Sequence, residues 1–118
     1  MSPRICVLGL GYVGLPLAVA FGGRHDTVGY DLDAGRIDDL RGGTDRTLEV
    51  DASELKAATS LRFSADETDL ADRNVFIVTV PTPIDGARRP DLGAISAASR
   101  AIGAHLKPGA VVIYESTV

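Results

Sequence analysis

One cysteine in 118 residues excludes an internal disulfide, and a reducing cytoplasm is the expected setting. No stretch approaches the roughly 18 consecutive apolar residues that cross a bilayer, so no membrane partner is expected. Met1-Ser2-Pro3-Arg4 runs straight into the strand-like Ile5-Cys6-Val7-Leu8, so no secretory leader is expected. Positive charge is in short supply too. Twelve Lys and Arg against 16 Asp and Glu give a net charge of −4, which argues against a nucleic-acid partner. His25 and His105 have no cysteine or carboxylate cluster at ligand spacing, so no metal site is expected. Ser116 lacks both a nucleophile-elbow context and a partner base, which removes support for a hydrolase. Cys6 sits inside an apolar run and is read as a buried structural residue rather than a nucleophile.

What is present is an alternation of strand-length apolar runs with helical patterns, the signature of β-α-β units and a parallel sheet. Arg4 to Leu8 is apolar without alternation, as a strand covered on both faces should be. Leu15 to Phe21 reads as a buried helix, with Pro16 in its first turn and Gly22-Gly23 closing it. Thr27 to Asp31 is a second strand, and Asp33 caps a helix that shows Ile37 and Leu40 on one face. Asp51 to Glu54 looks like a capping pair opening a short helix, and Leu61-Arg62-Phe63 is a candidate third strand. Ser64-Ala65-Asp66-Glu67 has the form of a capping box. Val75 to Val80 is the clearest strand. Asp91 is placed as the cap of a long helix with the stripe Leu92, Ile95, Ala98 or Ser99, Ile102 and Leu106. Ala110 to Tyr114 makes a fifth strand. The whole, residues 1–118, is expected to be one domain: an α/β, three-layer, doubly wound parallel sheet of the Rossmann type, truncated after its fifth strand. Such folds normally run on to a sixth strand, so the chain is expected to be the front part of a longer enzyme.

Gly9-Leu10-Gly11-Tyr12-Val13-Gly14 is a GxGxxG string, weak by itself. Here it follows a strand, opens a helix, and has an acidic residue, Asp31, at the end of the next strand 22 positions beyond Gly9. Gly9 permits the tight turn, Gly11 lets the backbone approach a pyrophosphate, and Gly14 lets the helix pack against the sheet. The diphosphate would then meet the free N–H groups and positive dipole end of the helix. Asp31 can accept from the adenosine ribose hydroxyls and would repel a 2′-phosphate, which favours NAD over NADP. Arg36 is placed over the adenine or ribose edge, with a solvated helix residue as the alternative. Ligands in open parallel sheets bind beyond the carboxyl ends of the strands. Thr82 and Thr117 stand at such ends and fit nicotinamide contacts and plain strand-end residues equally well. Arg88-Arg89 reads as a solvated loop tip, with contact to a phosphate-bearing substrate as the alternative, and Asp38-Asp39 as a wet helix face.

Gly9 to Ala18, Val80-Pro81-Thr82-Pro83 and Tyr114-Glu115-Ser116-Thr117-Val118 together resemble the UDP-glucose/GDP-mannose dehydrogenase family. Asp45 to Val50, Pro81 to Asp85 and Pro90-Asp91-Leu92 look like its UDP-N-acetylhexosamine 6-dehydrogenase branch, which serves surface polysaccharides. The resemblance implies oxidation of a sugar C6 alcohol to the carboxylate with two NAD, and a homo-dimer or larger assembly. It implies that the catalytic cysteine, its partner lysine and asparagine, and most contacts to the UDP-sugar lie in a later part of the family sequence, so that these 118 residues bind NAD without turning it over. It places Tyr12 and Val13 at the pyrophosphate turn, Asp31 and Arg36 at the adenosine, and Thr82 and Thr117 toward the nicotinamide. Thr117 would be a possible auxiliary that helps place a water. A non-catalytic nucleotide-sensing module and a 6-phosphogluconate-type hydroxyacid dehydrogenase are the alternatives.

Overall fold

A computed structural model describes residues 3–11, 13–45, 50–79 and 93–115, with side chains from residue 96 onward in the last segment. The strands are β1 (Arg4–Leu8), β2 (Asp26–Tyr30), β3 (Leu61–Ser64), β4 (Val75–Val78) and β5 (Val111–Tyr114). They pair in parallel throughout, in the order β3-β2-β1-β4-β5. The chain builds outward from β1 to β3, then crosses back to lay β4 against the other side of β1. The connections leave β1 and β4 in opposite directions, so a crevice opens at the carboxyl ends of these two central strands.

Alternation along β1 explains the layering. Ile5 and Val7 join Leu15 and Ala18 of α1 (Gly14–Gly22) and Ile37 and Leu40 of α2 (Ala34–Arg41) in one buried cluster. Cys6 and Leu8 face the other way, into a cluster with Phe76, Val78 and Ala98, Ala101 and Ile102 of α4 (Gly93–His105). Each strand residue therefore finds a helix or a strand neighbour on its own side. Between α2 and β3 lies the short α3 (Ala52–Ala57), opened by Asp51 and Glu54 as a reciprocal capping box. Asp33 accepts from the Arg36 N–H at 3.1 Å and caps α2. Among the described residues no helix is long and apolar enough to cross a membrane.

Three local readings are corrected. The capping box over Ser64 to Glu67 is not formed: Ser64 is the last residue of β3, and Asp66 caps a 3₁₀ turn, Glu67–Leu70, by accepting from the Thr68 N–H. Leu106 does not complete the apolar stripe of α4, because the helix stops at His105 and leaves Leu106 half exposed. The described stripe is Ala98, Ala101 and Ile102; Asp91 and Leu92 lie outside the described residues, as does the side chain of Ile95. Helix α1 starts at Gly14, one residue earlier than the apolar pattern suggests.

At the opposite, amino-terminal edge of the sheet, the sequence pattern contains no hint of Arg73. Its side chain is 1% exposed and holds Asp26 and Asp72 through paired hydrogen bonds of 2.9 to 3.2 Å. The guanidinium's hydrogen bonds keep both carboxyls below their ordinary value of 3.8. A carboxyl depressed by folding stabilises the native state above its unfolded pKa and loses that contribution as pH falls through the folded one. Because both carboxylates are more than half exposed and water screens the pairs, the Arg73→Met variant is expected to be less stable by about 1 kcal/mol at neutral pH. The gap to the unmodified chain should narrow as pH is taken well below 3.8. Chemical denaturation across that range checks it; a pH-independent gap would remove the electrostatic account.

Candidate functional site

The site is best seen one peptide at a time. β1 ends at Leu8, and Gly9 turns the chain with φ of +94°, a conformation that favours glycine. The Gly9 N–H donates to the Tyr30 carbonyl at 2.8 Å, so the turn leaves the sheet without losing a bond. The next peptide is pinned at both ends: the Gly9 carbonyl accepts from the Thr79 hydroxyl at 2.7 Å, and the Leu10 N–H donates to Asp31 Oδ2 at 2.9 Å. The Leu10 carbonyl is then held by Arg36, through Nε at 2.9 Å and Nη2 at 2.6 Å. With its side chain buried as well, Leu10 locks the loop in place.

Gly11 follows, exposed, and a Cβ there would meet nothing within 4 Å. Gly14 is the reverse. A Cβ there would collide with the Gly9 carbonyl oxygen and the Thr79 hydroxyl, so α1 can start this close to β1 only with glycine. Val13, exposed, is the N-cap residue of α1 and makes no side-chain cap; the first turn has no acidic residue. The Leu15 N–H donates to the Gly11 carbonyl at 3.2 Å and Pro16 has no N–H, so the Gly14 N–H and the positive dipole end are what this helix start offers an anion.

Asp31 completes the rim at the end of β2. Its second oxygen accepts from the Asp33 N–H at 3.0 Å, and each oxygen keeps lone-pair capacity for further donors. Beside it a cleft of about 470 Å³ runs between the ends of β1 and β2 and the face of α4. Gly9, Tyr30, Asp31 and Leu32 line one wall, and Ala97, Arg100 and Ala101 the other. The alanines make the width; larger side chains on that face of α4 would fill the cleft. A cavity of about 500 Å³ between α2, α3 and β3 carries Arg41, Lys56 and Arg62 on its wall, but it lies away from the glycine loop.

The structure brings Gly9, Gly11, Val13, Gly14 and Asp31 together around one crevice. Tyr12, Thr82, Thr117 and the Arg88-Arg89 tip lie outside the described residues. Arg36 is not a solvated helix residue: it is 7% exposed, and it pairs with the buried Asp45 at 2.8 Å. Cys6 is fully buried, and burial pushes its thiol up to about 12, which leaves no thiolate for chemistry. Sequence reasoning missed Thr79, Asp45 as the partner of Arg36, and the α4 wall with Arg100. The one available signal was Thr79, a hydroxyl inside the most apolar run of the chain, which has to find a nearby acceptor.

Residues 3–118 match the UDP-glucose/GDP-mannose dehydrogenase family, NAD binding domain. The UDP-N-acetyl-D-glucosamine 6-dehydrogenase of Pseudomonas aeruginosa is 58% identical over 115 residues, covering 98% of this chain and 27% of that protein. Protein CapL of Staphylococcus aureus is 43% identical over 118 residues, all of this chain and 28% of its own length. Among solved structures, the UDP-D-ManNAc dehydrogenase of Pyrococcus horikoshii superposes with a TM-score of 0.89 at 38% identity, over 98% of this chain and 28% of that one. A ternary complex of GDP-mannose dehydrogenase from Pseudomonas aeruginosa gives 0.88 at 29% identity, again over 98% and 28%. The chain thus spans just over a quarter of the length of the relatives it matches.

Proposed function

Because the chain belongs to the UDP-glucose/GDP-mannose dehydrogenase family, as its NAD-binding domain, we propose that the enzyme it is part of oxidises a UDP-N-acetylhexosamine. The C6 alcohol becomes the uronate with two NAD, for surface polysaccharide synthesis in the cytoplasm. The observation that carries the cofactor part is the pinned loop. Gly11 stands open beside an uncapped helix start, and Asp31 stands at the mouth of a cleft large enough for a nucleoside. These residues fit NAD. The Gly11 amide and the α1 N-terminus would take the diphosphate, and Asp31 the adenosine ribose hydroxyls. The α4 wall would flank the base. Arg36 has its guanidinium engaged by Leu10 and Asp45, so its charge is already paired within the protein, which adds to the preference for NAD over NADP. NAD, when bound, supplies the hydride acceptor.

Val13 and Tyr12 are assigned to the pyrophosphate turn. Thr82 and Thr117 are assigned to the nicotinamide side, with Thr117 positioning a water. The sugar nucleotide, and the second copy in a dimer or larger assembly, would be held mainly by parts of the enzyme beyond these 118 residues. The chain's one cysteine is buried, so the nucleophile is assigned there too. Calorimetric titration is expected to show NAD binding, NADP weaker by roughly tenfold or more, and no binding of UDP-GlcNAc to these residues alone. The full-length enzyme should form NADH from a UDP-N-acetylhexosamine while the 118-residue polypeptide does not. Equal NAD and NADP affinity would overturn the role of Asp31, and steady NADH formation by the short polypeptide would overturn the location of the nucleophile.

A further inference from the structure

Arg36 and Asp45 form an ion pair with side chains 8% and 0% exposed. Burial of that kind is costly unless the geometry is good and further hydrogen bonds are made. Both residues make them. Asp45 also accepts from the Val50 N–H at 3.1 Å, and Arg36 closes Nε and Nη2 on the single carbonyl of Leu10. Three N–H groups of the guanidinium are thereby directed into the protein.

Peptide planarity turns this contact into an orientation. Among the described residues there is no cis peptide bond, and in a trans peptide the C=O of one residue and the N–H of the next point in opposite directions. Holding the Leu10 carbonyl toward Arg36 aims the Gly11 N–H away from it. Gly11 is exposed, and its N–H has no acceptor among the described residues. The neighbouring plane is fixed independently by Thr79 and Asp31, so the Leu10–Gly11 plane is the one whose tilt depends on Arg36.

We infer that Arg36, anchored by Asp45, is a positioning residue for the diphosphate: it holds the Leu10–Gly11 peptide so that the Gly11 N–H is presented to a phosphate oxygen. This effect on NAD runs through the loop, in addition to anything the two remaining N–H groups of the guanidinium offer the adenosine. The inference rests on the NAD reading above and deepens it. It also ties the segment between α2 and α3, through Asp45, to the strength of cofactor binding.

The test compares NAD, ADP and adenosine as competitors of NADH, read by NADH fluorescence, on the full-length enzyme and three variants. Arg36→Met is expected to weaken NAD and ADP by roughly tenfold to a hundredfold, the worth of charge-assisted hydrogen bonds, and to weaken adenosine by much less. Arg36→Lys keeps the charge but cannot fork onto Leu10 while reaching Asp45, so it should not rescue ADP binding. Asp45→Asn should weaken NAD and ADP in the same direction, but less. The Gly11 amide resonance should move in each variant before any ligand is added, which a contact made only to adenosine would not cause. Equal losses for ADP and adenosine, or full rescue by lysine, would overturn the inference. If Arg36→Met melts early, the other two variants decide, and wild-type ADP affinity in both overturns it. Failure of the unmodified enzyme to bind NAD would instead remove the reading of the site itself.

Discussion

Gly14→Ala is expected to lose NAD binding and to unfold more easily, by about 3 kcal/mol or more. Overpacking a rigid site usually costs about 1–3 kcal/mol, and here the first obstacle is backbone: the added Cβ would strike the Gly9 carbonyl oxygen, and behind it the Thr79 hydroxyl. Neither can swing aside. The carbonyl belongs to a peptide held by Asp31 through Leu10, and the hydroxyl is 3.0 Å from the Leu8 carbonyl and 2.7 Å from that of Gly9. Relief would have to come from moving α1 off β1, which breaks the cluster of Leu15 and Ala18 with Ile5 and Val7. Gly11→Ala makes the contrast. Its Cβ meets open space in the protein, so stability should change by less than about 1 kcal/mol, while the methyl stands where a diphosphate would approach and NAD binding falls. Denaturant melts and NAD titrations of the two variants separate the roles of two glycines in one string. A Gly14→Ala protein with unaltered melting would show that the helix is not held at this distance.

The pattern of what was legible in the sequence follows the range of the interactions. The glycine loop, Asp31 and the caps at Asp33 and Asp51 are local devices: each depends on residues a few positions apart, so spacing and residue type are enough to find them. The strands were visible because β1 and β4 are covered on both faces and read as unbroken apolar runs. Ser64 and Asp66 show the limit. Both have capping side chains, and only the length of β3, set by pairing with β2 up to Tyr30↔Ser64, decides which one caps. Leu106 obeys the helical period but stands just past the point where α4 gives way to the Lys107-Pro108-Gly109 turn. Thr79, Arg36 with Asp45, and Arg73 with Asp26 were out of reach for another reason. Their partners come from outside their own element, up to 71 residues away for Thr79 with Leu8, and although the apolar run around Thr79 shows that its hydroxyl needs an acceptor, nothing in the local string says which one.

Asp31 carries the second large effect, because one carboxylate serves both the protein and the cofactor. Toward the protein it holds the Leu10 N–H with one oxygen and the Asp33 N–H with the other. Toward NAD it would accept from the ribose hydroxyls, and its charge would exclude a 2′-phosphate. Asp31→Ala removes all of this together. Two hydrogen bonds to a charged acceptor, each worth about 1.5–3 kcal/mol, predict an NAD affinity lower by about a hundredfold or more. Loss of the Leu10 tether adds a stability cost of about 1–3 kcal/mol. NADP should lose far less, since the repulsion of its 2′-phosphate disappears along with the attraction to the ribose, and the two cofactors should become nearly equal. Asp31→Asn separates the two functions in part. It keeps a carbonyl oxygen for the Leu10 N–H but sets its NH2 against the Asp33 N–H, so it should melt between the Asp31→Ala variant and the unmodified chain, and without the charge it should discriminate poorly between NAD and NADP. Parallel titrations and melts read all four quantities. An Asp31→Asn protein that still rejects NADP would place the selectivity elsewhere on the cleft wall, and Arg100 would then be the next residue to change.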